Sequence, residues 1–223
     1  MPLIVAEGIV KGYHTLAEEV PVLNGIDLEV AEGEMLAITG ASGVGKSTLL
    51  HVLGTLDRPD AGRLSFAGED VFAFSESRLR EFRNRTMGFV FQLHHLLPEF
   101  SALENVMMPM LIARIPEAEA RAAAGALLEQ LGLSHRGHHR PGGLSGGEQQ
   151  RVAVARALVR SPRALLADEP SGNLDRVTGD RLHDLLRRLN RDKGLTVIVV
   201  THNERLAASC DRTLRLEAGT VLC

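Results

Sequence analysis

The sequence predicts an α/β fold within a single domain of 223 residues. Apolar runs at 35–38, 164–167 and 196–200 show no polar alternation, which is typical of strands buried on both faces of a parallel sheet. A glycine-rich loop follows the first run and precedes an apolar helix. Between about residues 103 and 159 the pattern becomes helical and interrupts this order. The predicted fold is therefore a mixed sheet, with antiparallel N-terminal strands, that carries an inserted α-helical subdomain.

The helical stretch sets the predicted boundaries inside this domain. We expect residues 1–92 and 161–223 to form the core that contains the sheet, and residues 93–160 to form the helical subdomain. Residues 117–131 are rich in Ala and Glu, which have high helix propensity. Another helix is expected from about Gly146 to Val159.

The first third of the chain is predicted to contain strands joined by turns. Short apolar runs at 3–5 and 8–10 alternate weakly, whereas residues 26–30 alternate clearly. A turn at 31–34 then leads into the buried strand at 35–38.

Several shorter elements follow the first helix. They are a loop at 57–62, a strand at 63–66, a polar helix from Ser75 to about Asn84 and a strand at 88–91 that ends at Gln92. Ser75 and Ser77 are both candidates for the N-cap of the polar helix. In the last third, an amphipathic helix is expected at 177–190.

The glycine-rich loop predicts a phosphate-binding site. Residues 40–48 fit the pattern G-x-x-x-x-G-K-[ST] without a mismatch. Glycines let the backbone turn its N–H groups inward as a nest for anionic oxygens, and the helix N-terminus adds partial positive charge. Lys46 can reach the β- and γ-phosphates, and Ser47 can bind Mg²⁺. The residues expected to form this site are Gly40, Ala41, Ser42, Gly43, Val44, Gly45, Lys46, Ser47 and Thr48.

Polar residues end three of the apolar strands. Asp168 and Glu169 follow the run at 164–167, His202 follows the run at 196–200, and Gln92 ends a third strand. Ligands of parallel α/β sheets bind at the carboxyl ends of the strands. We expect Asp168 to hold Mg²⁺ and Glu169 to activate water, with His202 donating to the γ-phosphate.

Composition excludes several classes of function. Apolar content of 44% and charged content of 24% are ordinary for a globular protein, and a net charge of −3 disfavours nucleic-acid binding. The apolar stretch at 106–113 contains Pro109 and is too short to cross a bilayer. We therefore expect no direct insertion into a membrane.

These motifs together resemble those of ATPase subunits of ABC transporters, along essentially the whole chain. The matching motifs are Walker A at 40–47, the Q-loop at Gln92, the signature at 144–150, Walker B at 164–168, the catalytic Glu169, the D-loop at 171–175 and the switch His202. The resemblance implies a P-loop NTPase core, ATP and Mg²⁺ as cofactors, and ATP hydrolysis coupled to transport.

The resemblance also implies residue roles. Glu169, His202 and Lys46 would be catalytic, and Ser47, Gln92 and Asp168 would hold the metal. Tyr13 matches the aromatic residue that stacks on adenine, although it could instead be a buried core aromatic. Further nucleotide contacts would come from Gln92, Ser145, Gly146, Gly147 and Asp175.

The signature implies a dimer. Ser145, Gly146 and Gly147 open a helix, so their N–H groups offer a second anion site. In the ABC family this site completes the ATP pocket of a partner subunit. The resemblance therefore implies a homodimer in the ATP-bound state.

The segment after Gln92 most closely resembles the ATPases of the lipoprotein-releasing (LolD) family of Gram-negative bacteria. Leu-Leu-Pro at 96–98 and Leu-Glu-Asn-Val at 103–106 are shared with macrolide-export and cell-division ATPases, which remain alternatives. His94-His95 and Pro98-Glu99-Phe100 favour the lipoprotein branch.

In the ABC family this region docks integral membrane subunits, here near residues 92–109. That implies a location on the cytoplasmic face of the inner membrane. The apolar side chains suited to gripping an inserted helix are Leu93, Leu96, Leu97, Phe100, Met107 and Met108, and some of these could be core residues.

Two other classes of nucleotide-binding protein are less compatible with the sequence. A P-loop kinase would have no use for the signature at 144–150. A DNA-maintenance ATPase would carry long coiled-coil heptads between Walker A and the signature, and the sequence has none.

Overall fold

The structure is a computed structural model that describes residues 2–14 and 19–222. Its strands and helices in chain order are β1 (Pro2–His14), β2 (Glu19–Ala31), β3 (Met35–Thr39), α1 (Lys46–Leu53), β4 (Ala61–Phe66), β5 (Glu69–Asp70), α2 (Glu76–Thr86), β6 (Met87–Val90), α3 (Ala102–Ile112), α4 (Glu117–Gln130), α5 (Gly146–Leu158), β7 (Ala164–Asp168), α6 (Arg176–Lys193), β8 (Thr196–Val200), α7 (Glu204–Ala208), β9 (Arg212–Glu217) and β10 (Thr220–Leu222). The mixed α/β class predicted from the sequence is confirmed.

The chain forms two compact units. The first unit comprises the residues up to Arg80 and those from Arg187 onward, and the second comprises Glu81–Leu186. The division into a core and a helical subdomain at 93–160 uses other boundaries and stays a prediction. Among the described residues, no helix is both long enough and apolar enough to cross a membrane.

An antiparallel sheet in the first unit has the strand order β2-β1-β4-β5. The two short strands predicted at 3–5 and 8–10 are one continuous strand, β1. Its pairing with β2 shifts register between Ala6 and Ile9, where Gly8 has a φ of 57° and its N–H donates to Asp27 Oδ1 over 2.7 Å. The sequence pattern is interrupted there because of a bulge, across which the pairing resumes.

The second sheet of the first unit contains the strand order β10-β9-β3-β8. Strand β3 is parallel to both β8 and β9, and β10 returns antiparallel to β9. No element was predicted beyond residue 202, so α7, β9 and β10 are additions. Alternation of buried Leu214 and Leu216 with exposed neighbours in β9 was a readable signal for a strand with one buried and one exposed face.

In the second unit β6 runs parallel to β7, and α3, α4 and α5 pack together. The predicted helical stretch at 103–131 is two helices, separated where Arg114 has a φ of 58° and Pro116 precedes α4. Strand β6 ends at Val90, so Gln92 lies two residues beyond it rather than at its end. Ser75, not Ser77, precedes α2, and its hydroxyl accepts from Arg78 N over 3.3 Å.

One buried side chain organises the loop before α3. Asn105 is fully buried, and its Oδ1 accepts from Leu97 N over 2.8 Å. Its Nδ2 donates to the carbonyl oxygens of Leu97, Phe100 and Ser101 over 3.0–3.1 Å. A single amide therefore binds several backbone groups of a segment that lies outside the strands and helices.

We predict that Asn105→Ala lowers the free energy of unfolding by roughly 2–3 kcal/mol, because buried loop groups lose their partners. Urea unfolding followed by circular dichroism would measure the shift. Asn24→Ala is the matched control, since Asn24 is exposed and its side-chain amide donates to Ala218 O over 3.1 Å. Equal unfolding midpoints for the two variants would contradict the prediction.

Candidate functional site

The glycine-rich loop joins β3 to α1 in the conformation that its glycines were expected to provide. Gly40, Gly43 and Gly45 have φ values of 148°, 77° and 103°. A Cβ on Gly40 would lie 2.3 Å from Leu216 O, and one on Gly45 would lie 2.9 Å from Val22 Cγ1. The loop is therefore packed closely against neighbouring strands, and two of its glycines are required sterically as well as conformationally.

The lysine of this loop folds back over it. Lys46 Nζ donates to Gly40 O over 3.0 Å and to Ala41 O over 2.7 Å. Gly45 occupies the N-cap of α1, so no side chain at that position caps the helix. The first-turn N–H groups of α1 are thus available to an anion, which is the arrangement that binds phosphate.

Tyr13 is 41% exposed, so the interpretation of this residue as a buried core aromatic is wrong. Its hydroxyl donates to Asp57 Oδ2 over 2.8 Å, and Lys11 Nζ lies 5.4 Å from the ring centroid. Lys11 in turn pairs with Asp57 at 3.4 Å and with Asp60 at 3.1 Å. Partial burial and the bond to Asp57 raise the pKa of Tyr13. The loop after α1 therefore holds the ring in one orientation, which the sequence did not predict.

Parallel pairing places the end of β8 beside the start of the phosphate loop. Ile38 is paired with Val200, and Thr201 N donates to Ile38 O over 3.1 Å. His202 follows directly and is exposed. The strand end that carries His202 and the strand end that carries Gly40 are thus neighbours at one edge of the sheet in the first unit.

The second unit repeats this arrangement with other residues. Val90 of β6 is paired with Ala167 of β7, so the segments containing Gln92 and Asp168 leave neighbouring parallel strands at the same edge. Glu169 has a φ of 45°, which is strained for a residue with a side chain. Such strain is often stored at functional sites.

Two hydrogen bonds connect Gln92 to Asn173. Gln92 Nε2 donates to Asn173 Oδ1 over 3.2 Å, and Asn173 Nδ2 donates to Gln92 O over 3.1 Å. Asn173 belongs to the D-loop motif at 171–175, and no role was predicted for it. A pairing between residues 81 positions apart has no local signal in the sequence.

The segment 171–175 is itself anchored at both ends. Ser171 Oγ is 2.8 Å from Nε2 of His183, a buried side chain on α6 whose pKa is lowered by its burial. Asp175 Oδ1 accepts from Val177 N over 3.0 Å and from Thr178 N over 3.1 Å. Asp175 is therefore the N-cap of α6, and hydrogen bonds from the Thr178 side chain and from these backbone groups hold its pKa below the usual range.

The signature begins helix α5 with a capping box. Ser145 Oγ accepts from Glu148 N over 3.3 Å, and Glu148 Oε2 accepts from Ser145 N over 2.8 Å. That backbone N–H is the main reason why the pKa of Glu148 is lowered, and Arg136 adds an ion pair at 2.9 Å. Ser145 therefore closes the first turn of α5 with both its hydroxyl group and its backbone N–H.

The glycines of the signature pack against the segment that begins α6. A Cβ on Gly147 would lie 2.4 Å from Thr178 Cγ2, and one on Gly146 would lie 3.8 Å from Leu174 Cδ2. Gly147 therefore leaves no room for any other residue. Gly147 itself is partly exposed.

Exposed large apolar side chains are concentrated after Gln92. The described members in this segment are Leu93 at 66%, Leu97 at 38%, Phe100 at 39%, Leu111 at 37% and Ile112 at 68% exposure. Met107, which was predicted among the gripping side chains, is instead buried in the core at 2% exposure, because it lies on the inner face of α3. Leu96 and Met108 are half-buried.

Helix α5 fixes the start of this apolar segment. Arg156 is half-buried, and it donates to His95 O over 2.6 Å and to His94 O over 2.8 Å. The ring of His94 is hydrogen-bonded to the buried Gln150. His95 has a φ of 47°, so the hydrogen bonds from Arg156 hold a residue with a strained backbone in place. Sequence reasoning missed Arg156 and Gln150, which are 61 and 56 residues from their partners.

A phosphate nest at a helix N-terminus, placed at the carboxyl edge of parallel strands, defines the class of P-loop nucleotide-binding domains. The family model for ABC transporters matches residues 23–172. The lipoprotein-releasing system ATP-binding protein LolD of Geobacter metallireducens is 59% identical over 96% of this chain and 95% of that protein. LolD of Myxococcus xanthus is 55% identical over 99% of both chains.

A solved dimeric ATP-binding cassette in a post-hydrolysis state, bound to ADP and Pi, is similar with a TM-score of 0.91. It is 37% identical, and the match covers 99% of this chain and 97% of that chain. This chain therefore belongs to the ABC transporter family of ATPases and, within it, to the LolD family. The family resemblance inferred from the sequence is confirmed.

We predict that Gly40→Ala displaces the phosphate loop, because the new Cβ would overlap Leu216 O and because a left-handed φ strains a side chain by about 1–2 kcal/mol. The expected result is a lower unfolding midpoint and loss of binding to a fluorescent ATP analogue. Gly142→Ala is the control, since its Cβ would meet nothing within 4 Å. Wild-type affinity in Gly40→Ala would refute the steric argument.

Proposed function

We propose that this chain is the ATP-hydrolysing subunit that powers release of outer-membrane-directed lipoproteins by a transporter of the bacterial inner membrane. The observation that carries the proposal is that one chain holds two different anion sites. One is the loop at 40–48, and the other is the N-terminus of α5 at Ser145. LolD proteins of two other bacteria, named for the lipoprotein-releasing system, match it along nearly their full length.

In this proposal the phosphate loop binds ATP. The N–H groups of residues 40–48 donate to the phosphate oxygens, and Lys46 exchanges its contacts with Gly40 O and Ala41 O for the β- and γ-phosphates. Tyr13 stacks on adenine with the ring face that Lys11 leaves open. Gly40, Gly43 and Gly45 supply the conformation, and the side chains supply charge and orientation.

The residues assigned to Mg²⁺ fit that ion chemically. Ser47 offers a hydroxyl, Gln92 an amide oxygen and Asp168 a carboxylate, and Mg²⁺ prefers oxygen ligands of these kinds. When bound, Mg²⁺ neutralises charge that develops on the β- and γ-phosphates. Ser47 lies at the start of α1, and Asp168 is the last residue of β7.

Hydrolysis then needs a base. In the proposed step, the oxygen of a water forms a bond to the γ-phosphorus while the bond from this phosphorus to the β–γ bridging oxygen breaks. Glu169 takes the proton of the water, and the bridging oxygen leaves with its electron pair as part of ADP. His202 donates a hydrogen bond to the γ-phosphate, and Lys46 offsets the charge of the leaving group.

The second anion site implies a partner copy. Ser145, Gly146 and Gly147 would bind the γ-phosphate held by another copy of the chain, so that ATP stabilises a homodimer and hydrolysis releases it. The similar solved cassette is a dimer. Asp175, as the cap of α6 beside the signature glycines, would contribute at the same interface.

The membrane subunits of the transporter would dock near residues 92–109. Leu93, Leu97 and Phe100 are exposed in this segment, and its backbone is preformed by Asn105 and Arg156. A rigid apolar surface of this kind suits an inserted helix. The chain would then sit at the cytoplasmic face of the inner membrane without entering the bilayer.

We predict that Glu169→Gln lowers ATP turnover by about 10²–10⁴-fold while ATP binding persists, because an amide cannot accept the proton from water. ATP-dependent dimers should accumulate. Size-exclusion chromatography with ATP and Mg²⁺, together with a phosphate-release assay, would measure both effects. A hydrolysis rate close to wild type would remove Glu169 from the role of base.

We also predict that Phe100→Arg abolishes co-purification with a multi-spanning membrane protein from solubilised membranes, because a charge would have to be buried at the apolar contact. Val10→Arg is the matched control, with exposures of 37% for Val10 and 39% for Phe100. Mass spectrometry of the captured protein identifies the type of transporter. Capture that is equally strong with Phe100→Arg would place the docking surface elsewhere.

A further inference from the structure

The hydrogen bonds between Gln92 and Asn173 determine which way the Gln92 amide faces. The main-chain oxygen of Gln92 can only accept, so the Asn173 atom that contacts it at 3.1 Å must be Nδ2. The remaining side-chain atom of Asn173 is then Oδ1, which also only accepts. The Gln92 atom that lies 3.2 Å from Oδ1 is therefore the donor Nε2.

In this orientation the side-chain oxygen of Gln92, Oε1, is directed away from Asn173. The two ends of an amide are not equivalent toward a cation, because Mg²⁺ takes oxygen ligands and an NH₂ group points its hydrogens at the ion. A flipped Gln92 amide would place Oε1 against Asn173 Oδ1, which is a repulsive contact between two acceptors. One flip state is thus selected before any ion is bound.

Asn173 can impose this choice because its own position is fixed. Gly172 N donates to Glu169 O over 2.9 Å, and Leu174 N donates to Ser171 O over 3.1 Å, so the segment is a closed turn. Ser171 is tied to the buried His183, and Asp175 caps α6. The turn therefore presents the Asn173 amide from a rigid base.

Gly172 brings the two segments together. A Cβ built on Gly172 would lie 2.8 Å from Gln92 Nε2 and 3.2 Å from Gln92 Cδ. Any larger residue at position 172 would push the Gln92 amide away from its observed place. The close approach is a second, independent constraint on the same side chain.

We propose that Asn173 is a positioning residue that holds the Gln92 amide with its oxygen ready for Mg²⁺. This inference rests on the proposed role of Gln92 as a metal ligand. Partners that orient a metal ligand commonly change metal affinity by about 10–100-fold when removed. Both side chains are exposed to water, so we expect the lower end of this range for Asn173.

Asn173→Ala would test the proposal in the Glu169→Gln background, where ATP is not consumed. The readout is the Mg²⁺ concentration that half-saturates the Mg²⁺-dependent gain in binding of a fluorescent ATP analogue. We expect this concentration to rise about tenfold, whereas affinity for the analogue in EDTA should stay within about twofold of the parent. A purely structural role would instead weaken binding in EDTA and lower the melting temperature.

Gly172→Ala tests the same contact through a steric change. The new Cβ displaces the Gln92 amide without altering the polar groups of Asn173. It should raise the Mg²⁺ requirement in the same direction. Asn24→Ala removes an exposed asparagine amide in the first unit and should leave both measurements unchanged. Melting temperatures equal to the parent would show that each variant is folded.

A double-mutant comparison separates this inference from the proposed function. Gln92→Ala should raise the Mg²⁺ requirement, and Asn173→Ala should then add nothing further. An unchanged requirement in Asn173→Ala, or an additional loss in the Gln92→Ala background, would overturn the positioning role. An unchanged requirement in Gln92→Ala would instead overturn the metal role of Gln92 itself.

Discussion

Parallel pairing of buried strands is the constraint on which the functional loops of each unit depend. In the first unit Ile38 pairs with Val200, and in the second Val90 pairs with Ala167. Parallel strands share one direction, so the segments that leave their carboxyl ends emerge as neighbours. The paired side chains are apolar and fully or almost fully buried. Packing of apolar residues therefore decides where the polar residues that follow them are placed, and a slip of one residue would misplace every loop at that edge.

The loops themselves lack regular structure, so their backbone groups need other partners. Helices and turns supply them through single side chains: Asn105 binds the loop at 97–101, Arg156 binds the carbonyls of His94 and His95, and Asn173 binds Gln92. Partial burial lowers the pKa of Arg156, so its guanidinium would be less stable there without those carbonyls. The position of the loop at 94–95 is therefore coupled to the position of α5, the helix that begins at the signature. A movement of α5 would carry this loop with it, or else expose an unpaired charge.

Local sequence patterns were sufficient to predict those elements whose structure is determined by short-range interactions. The glycine-rich loop, the buried strands and the Ser145 capping box all have short-range signals, and β8 was predicted with its observed bounds. The bulge at Gly8 was misread because a pattern break looks the same whether pairing ends or resumes. The supports of the loops were missed for a different reason. Gln92 and Asn173 are far apart in sequence, and an asparagine in a polar turn is ordinary until the fold brings an amide opposite it.

Two residues with side chains adopt a left-handed backbone beside these supports, Glu169 with a φ of 45° and His95 with a φ of 47°. Such a conformation costs about 1–2 kcal/mol. It persists only where interactions with the surroundings stabilise it by more than this strain. At His95 the surroundings are the two bonds from Arg156, and at Glu169 they include the turn closed by Gly172 N. Both strained residues therefore lie in segments that are held in place by hydrogen bonds. These segments are also where a small displacement of the partner would change the loop most, because relaxation of the strained residue lowers the free energy.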